Sequence, residues 1–482
     1  MEALAESILS VADGITLYGT IWVLLGTGLY LTWRTRAVQA RLFRHMVAVV
    51  TSSRGGARGG ISSFQAFTIS LAARVGVGNV FGVAAALLMG GPGAIFWMWI
   101  VALVGMSTAF FEATLAQVYK VRAPDGTYRG GPAYYMMLGM RSRALGAVFA
   151  IITVVTCAFV ITSVQSNAIA ETMAGSAGTS PSITAALLFA FAAPVIMGGI
   201  RSVARVTEIM APIMAMIYVI MAFVIVVMNL GEFPRIIGWI IQDAFAPQPL
   251  VGGLGGGILA AVINGTKRGL FSNEAGQGTA PNAAATATVR HPVRQGLIQS
   301  LGVFVDTIIV CTATAFVILV AGEGVWAAEG ANPATLTTMA VAHALGEWAT
   351  VPMAIMIFVL AFSSIIAAYV YSEVNMFFVT ASPVGMWAVR VISVASVVLG
   401  ALVSLDVVWA SVDIAMAIMT ITNLVALIAL SSVGVAALRD YEARRRAGER
   451  DPQFIAEDCE GLSRPLPTDV WGRQGAQSAD VQ

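Results

Sequence analysis

Long apolar stretches separated by short polar connections make up most of the chain. A bilayer-spanning helix needs about 20 mostly apolar residues. Runs of that length fall near 15–33, 64–88, 93–119, 144–168, 182–200, 206–229, 254–285, 297–321, 351–380, 387–405 and 410–437. The pattern predicts an all-α membrane protein of about eleven transmembrane helices. Glu2, Glu6 and Asp13 precede the first run, the opposite of the basic start of a secretory signal, so 15–33 reads as a retained span.

The connections alternate in charge. One set holds Arg34, Arg36, Arg41, Arg44, Arg54 and Arg58, then Lys120, Arg122, Arg129, Arg141 and Arg143, then Arg201, Arg205, Arg290, Arg294 and Arg390, and last the stretch from Arg439 to Arg450. The other set offers only Arg235 and carries Glu171, Glu232, Glu323, Glu329 and Glu347. Lys and Arg gather on the cytoplasmic side of membrane proteins. The alternation therefore predicts a multi-pass protein of the cell (inner) membrane with its N-terminus outside and its C-terminus cytoplasmic.

With the first helix set aside, ten spans divide into five over 64–229 and five over 254–437. An odd number per half inverts the second half relative to the first, and the interruptions agree. The first helix of each half is broken by a glycine-rich polar segment: Ala73 to Asn79 in one, and Asn264 to Gly269 running on through Phe271 to Gly278 in the other. Paired breaks at matching positions point to the binding site of a secondary transporter. The expected organisation is an N-terminal helix and basic segment over 1–60, a first five-helix repeat over 61–230, a second, inverted repeat over 231–437, and a cytosolic, disordered tail over 438–482.

Unwinding frees backbone groups that cannot face hydrocarbon, at several kcal/mol each. The upstream half-helix ends in bare carbonyls suited to a small cation. The downstream half begins with bare N–H groups suited to a carboxylate. Gly76, Gly78, Gly276 and Gly278 allow a ligand to reach the main chain. The competing reading is tight helix packing through small residues.

Composition narrows the classes further. Of 482 residues, 58% are hydrophobic and 11% charged, against roughly 25% charged in soluble domains, and the mean hydropathy is +0.82. A formal net charge of +1 gives no reason to expect a nucleic-acid partner. Cys157, Cys311 and Cys459 form no CxxC or Cys/His cluster, and His45, His291 and His343 lie far apart, so no metal centre is predicted. No span carries an HExxH or a paired nucleophile and base, so the chain reads as no enzyme. The predicted partners are a small amino-acid solute and the lipid bilayer.

At these residues the sequence resembles the alanine/glycine:cation symporter (amino acid carrier protein) family, nearly throughout to about residue 437. The matching words are Gly60-Ile61-Ser62-Ser63-Phe64-Gln65-Ala66, Val75-Gly76 with Gly78-Asn79, Gly90-Gly91-Pro92-Gly93-Ala94-Ile95-Phe96-Trp97-Met98-Trp99, Gly130-Gly131-Pro132 with Tyr134-Tyr135, Val164-Gln165-Ser166-Asn167, and Lys267-Arg268-Gly269-Leu270-Phe271-Ser272-Asn273-Glu274-Ala275-Gly276. The resemblance implies a leucine-transporter-like 5+5 inverted-repeat fold, alternating access, and import of alanine, glycine or a relative. It implies no cofactor beyond Na+ or H+ as the coupling ion. It also implies a substrate shell of Arg74, Gly76, Val77, Gly78, Gln165, Phe271, Ser272, Asn273 and Gly276, with a cation held by Ala72, Val75, Ser363 and Ser364.

The sequence departs from the family pattern at three places. Arg74 and Val77 stand where the family usually has Thr, and Ala368 stands near a common Trp. A missing ring widens a pocket. A mid-membrane guanidinium costs several kcal/mol unless paired or hydrated. Arg74 thus has two readings: it replaces a bound cation in a sodium-independent carrier or exchanger for a larger or acidic amino-acid-like solute, or it forms a structural ion pair with Glu112, Glu274 or Glu373. Glu274 reads as a proton acceptor or helix anchor, Lys267 and Arg268 as gate or ion-pair residues, and Asp306 and Glu373 as coupling or packing groups. Trp97, Trp99, Tyr134 and Tyr135 are expected to be interfacial anchors.

Overall fold

In lipid, a chain must satisfy its own backbone polar groups, and a long apolar run does so as a helix. The computed structural model follows that rule and describes residues 10–53, 60–124, 126–246, 257–328, 330–403, 406–462 and 465–473. The helices are α1 (Ser10–Arg34), α2 (Ser63–Arg74), α3 (Gly78–Gly90), α4 (Gly93–Val118), α5 (Arg143–Ala177), α6 (Pro181–Met197) and α7 (Gly199–Met228). There follow α8 (Phe233–Asp243), α9 (Gly257–Asn273), α10 (Ala280–Thr286), α11 (Pro292–Val320), α12 (Pro333–Leu345), α13 (Thr350–Val379), α14 (Pro383–Leu402), α15 (Asp406–Ala429) and α16 (Ser431–Arg446).

Among the described residues, eight helices are long and apolar enough to cross a membrane, and the bent pair α2–α3 adds a ninth. α6 is a shorter apolar helix, and α9 with α10 forms a second interrupted passage. The protein is a multi-pass, all-α membrane protein. Its outward face is apolar, as on α7 at Ile213, Ile217, Ile220 and Phe223. Its interior, by contrast, buries Arg74, Glu112, Asn273, Asp306 and Asn423. α4 packs against α1, α9 and α11, while α5 packs against α13 and α14, so the interrupted helices lie among continuous ones.

Three expectations shift. The Asn264–Gly269 stretch is helical and not unwound, because Asn264 Nδ2 donates to the Ala260 carbonyl (3.0 Å) and Arg268 finds Asp413 (3.0 Å), so its polar groups are satisfied without a break. The run at 410–437 is two helices, α15 and α16, which meet at Leu430. The tail expected to be disordered from 438 continues as helix to Arg446, and Phe454 and Trp471 beyond it are buried. Polar composition concealed two aromatic anchors.

Candidate functional site

α2 starts at a capping box. Ser62 Oγ accepts from the Gln65 N–H (3.1 Å) and Gln65 Oε1 accepts from the Ser62 N–H (2.9 Å). The helix stops at Arg74 because Val75 leaves helical geometry (φ −77°, ψ 82°), and α3 leaves at 43° to α2. The freed Gly76 N–H donates to Asn79 Oδ1 (2.8 Å), which supports the turn.

α9 stops at Asn273, and the next six residues are not helical. Glu274, Gly276 and Gly278 adopt positive φ (56°, 89° and 85°), a region closed to a continuing helix. Glu112 on α4 holds this break. Its carboxylate accepts the N–H groups of Gly276 (3.0 Å) and Gly278 (2.8 Å) and the amide of Asn423 (2.6 Å). Asn423 also donates to the Gly276 carbonyl (2.9 Å), and Tyr135 Oη donates to Asn423.

The two breaks touch. A Cβ at Gly78 would fall 2.9 Å from Ser272 Cα and 3.3 Å from the Phe271 carbonyl oxygen. Asp306, in a π-helical turn of α11, joins them by accepting from Asn79 Nδ2 (2.6 Å), Ser272 Oγ (2.8 Å) and Thr307 Oγ1 (2.8 Å). Asn273 Nδ2 reaches the same Thr307 hydroxyl (3.2 Å). Gly76, Gly78, Ser272 and Asn273 are thus brought together, with buried Val77 and Phe271 beside them.

At the expected cation position, Ser363 Oγ and Ser364 Oγ each donate to the Ala72 carbonyl (3.0 Å), and Ser364 also to that of Ala73 (3.1 Å). A small hard cation takes such oxygens as ligands. Its entry would turn these three O–H···O contacts into oxygen–cation contacts. Ser364 Oγ lies where a Cβ on Gly76 would come within 2.0 Å, so the glycine opens this corner. The Val75 carbonyl is not among these contacts.

Arg74 is 1% exposed, and its Nη1 donates to the Gln299 side-chain oxygen (3.0 Å) and main-chain oxygen (3.3 Å). Its Nε and Nη2 have no hydrogen-bond partner among the described residues. Among the described residues no carboxylate lies within ion-pair distance of Arg74, although Glu112, Glu274 and Asp306 are within its electrostatic reach. Glu373 instead faces Arg129 (3.9 Å), and Glu274 accepts from Tyr371 Oη (3.1 Å). The expected ion pair is replaced by a neutral anchor, Gln299. Gly302 makes room for the guanidinium, since a Cβ there would stand 2.5 Å from Nη1.

Gln165 on α5 is buried with its amide oxygen unpartnered, and no hydrogen bond ties it to either break among the described residues. Lys267 and Arg268 gather with Asp413 (3.3 and 3.0 Å), and Lys267 also with Asp13. The tyrosines expected at the interface lie inside, with Tyr134 4% and Tyr135 0% exposed, whereas Trp97 and Trp99 are partly buried and donate to the Ala244 carbonyl and Thr312. Sequence reasoning gave Asn79 no site role, left out Gln299 and Asn423, and gave Glu112 and Asp306 no definite role. A lone carboxylate in an apolar helix was the available signal for those two.

A sequence profile described as the sodium:alanine symporter family matches residues 1–456. The chain is similar to the amino-acid carrier protein AlsT of Bacillus subtilis, 42% identical and covering 96% of this chain and 97% of that one. It is also similar to the probable sodium/glutamine symporter GlnT of the same organism (40%, covering 95% of each) and to the sodium/alanine symporter AgcS of Methanococcus maripaludis (36%, covering 88% and 94%). Among solved structures, an Eremococcus coleocola manganese transporter in complex with an aromatic bis-isothiourea compound shares the fold at a TM-score of 0.50 and 13% identity, over 87% of this chain and 84% of that one.

Proposed function

The chain belongs to the sodium:alanine symporter family, a family of cation-coupled amino-acid transporters, and on that premise we propose that it imports alanine, glycine or a relative by alternating access, driven by Na+ or H+. The observation that carries the reading is the meeting of two helix breaks at Gly78 and Ser272, with Asp306 bonded to side chains beside both. Two interrupted helices and a carboxylate in one buried place suit a solute with its own ammonium and carboxylate. Ala72, Ser363 and Ser364 supply oxygens for the coupling cation, while Gln165, Phe271, Asn273 and Gly276 surround the solute. One break in each half supports two repeats, over 61–230 and 231–437, and the Arg-rich connections support a cytoplasmic C-terminus in the cell membrane.

Proteoliposome uptake of labelled amino acids, with sodium and pH gradients imposed separately, tests the proposal. The panel includes glutamine, because a relative 40% identical is a probable sodium/glutamine symporter. Accumulation driven by either gradient is expected. Accumulation that ignores both refutes symport, and silence across the panel refutes the solute class.

The unpartnered N–H groups of Arg74 favour a second reading, in which the guanidinium stands in for one bound cation and grips the carboxylate of a larger or acidic solute. Ala368 is buried and small, and its methyl side chain would demand less room than a ring. Under this reading Arg74→Thr raises the dependence of uptake on sodium and weakens acidic solutes about tenfold or more. An unchanged sodium requirement and solute range in Arg74→Thr refutes it.

A further inference from the structure

Beyond α16 the chain turns back across the end of the bundle where α2 begins and α10 finishes. The Phe454 N–H donates to the Arg290 carbonyl (2.9 Å), and the Phe454 ring packs edge-on against His291 (5.0 Å) and Trp471 (5.5 Å). The Ala456 N–H donates to the Trp471 carbonyl (2.9 Å), which closes the returning segment on itself. Trp471, 4% exposed, donates its indole N–H to the main-chain carbonyl of Gln117 (2.8 Å), at the end of α4.

Gln117 and Lys120 connect that contact to the broken helices. The Gln117 side chain donates to the carbonyls of Ala284 (2.5 Å) and Ala287 (3.1 Å). Lys120, 1% exposed, donates to the Ala287 carbonyl (2.9 Å) and lies 4.7 Å from the Trp471 ring centre. Ala287 follows α10 directly and bridges to Ile61, just ahead of α2, where the Thr288 N–H meets the Ile61 carbonyl (2.9 Å). Trp471 therefore sits on the group that ties the entry of one interrupted helix to the exit of the other. It also lies beyond residue 456, the last that the family profile matches.

We infer that the segments 451–462 and 465–473 form a latch on the inner gate: Trp471 holds the α4 end and Lys120 in place, these hold Ala287 against Ile61, and the latch lets go each time this end of the transporter opens. Its links to the bundle are the indole and Phe454 N–H hydrogen bonds, the packing of the Trp471 ring against the Lys120 amine, a few ring contacts and the pairing of Asp451 with Arg290 and Arg294. Such contacts are weak enough to break and remake within a transport cycle. The inference rests on the alternating-access reading, but opening can be read without any solute, so the two can fail separately.

The test uses full-length protein with Cys157, Cys311 and Cys459 replaced by alanine and a reporter, Ala66→Cys, on the buried inner half of α2 (Ala66 is 0% exposed). Maleimide labelling is followed in the latched background, in Trp471→Ala, in Trp471→Phe and in a chain ending after Arg450. Labelling is expected to accelerate about tenfold in Trp471→Ala and in the shortened chain, and about threefold in Trp471→Phe, which keeps a ring over Lys120 but loses the N–H. Combining Trp471→Ala with Lys120→Met should add little to either alone. If the larger changes do not yield folded protein, Trp471→Phe decides. Labelling within the error of the parent in the folded variants overturns the latch, whatever happens to uptake.

Discussion

Glu112→Gln is the sharpest perturbation of the site, because nearly the same volume is kept while the number of acceptors changes. The carboxylate serves three N–H donors, Gly276 on one oxygen and Gly278 and Asn423 on the other. A glutamine has one acceptor oxygen and an NH2. If the oxygen faces Gly278 and Asn423, the NH2 confronts the Gly276 N–H across 3.0 Å, donor against donor. A buried donor left without an acceptor costs about 1–3 kcal/mol, and the surviving bonds lose the extra strength that charge lends. The net destabilisation comes to roughly 3–5 kcal/mol, concentrated on the α9–α10 break. Because Gly276 and Gly278 shape the main chain on which the proposed function places the solute, KM for the transported amino acid should rise about a hundredfold or more, with a melting temperature lower by several degrees. Glu112→Asp, which keeps the charge but retracts it, should fall between. The readouts are uptake kinetics in proteoliposomes and thermal unfolding in detergent. A Glu112→Gln protein with parental KM and melting temperature refutes the assignment of Glu112 as the brace of the second break.

The other predictions follow from single contacts. Gly78→Ala places a methyl 2.9 Å from Ser272 Cα and 3.3 Å from the Phe271 carbonyl oxygen, backbone atoms that cannot swing aside; uptake should fall about tenfold or more while the protein still folds, and parental uptake refutes the contact. Ser364→Ala removes the hydroxyl that reaches the Ala72 and Ala73 carbonyls, so half-maximal uptake should require about tenfold more sodium. An unmoved sodium curve sinks the assignment of that corner as the cation site. His45, on the helix Phe43–Thr51 outside the spans, has its pKa pushed down to about 4 by burial and then by Arg445 and Arg294. The unfolded chain titrates near 6.5 and so binds this proton more readily than the folded one; the stability is complete above that value and is lost as pH falls toward 4. Melting temperatures taken from about pH 8 to about pH 5 should therefore decline, and His45→Gln, which can keep the contact to Tyr441 (2.9 Å in the parent), should flatten the slope.

What the sequence disclosed divides along a physical line. The helical passages were legible because each needs only its own apolar run, and the first break was legible because Val75, Gly76 and Gly78 interrupt such a run locally. The second break was expected too broadly: the stretch Asn264 through Gly278 reaches the true break, but its first part is helix. Asn264 to Arg268 look like an interruption in isolation, but distant partners such as Asp413 satisfy them as helix, and only the positive φ values at Glu274, Gly276 and Gly278 end it. The bonds that assemble the site were not legible at all. Asn79 meets Asp306 across 227 positions and Glu112 meets Asn423 across 311, and neither pairing leaves a periodic trace. The tail failed for the converse reason: its polar composition is genuine, but Phe454 and Trp471 suffice to hold it down.

Charge balance gives the site its final constraint. Glu112, Glu274 and Asp306 are buried around the two breaks, and among the described residues Arg74 is a cation within electrostatic reach of all three. Fully ionised, three carboxylates against one guanidinium leave two uncompensated negative charges in a medium where even one is expensive. Backbone N–H groups at the second break offset part of this through Glu112, and the Asn79, Ser272 and Thr307 donors offset part through Asp306. The remainder calls for positive charge from outside: bound protons, a metal cation, or the ammonium of an amino acid. A solute and ion that arrive together answer that need better than either alone, which is the thermodynamic content of symport. Arg74 sets how much is left to answer. A threonine at this position would lack the permanent positive charge and, on this balance, call for one more mobile cation, so the framework with Arg74 should run with fewer coupling ions per solute. Counting charges moved per solute in voltage-clamped liposomes, before and after Arg74→Thr, measures that difference directly, and an identical count in both proteins rules the argument out.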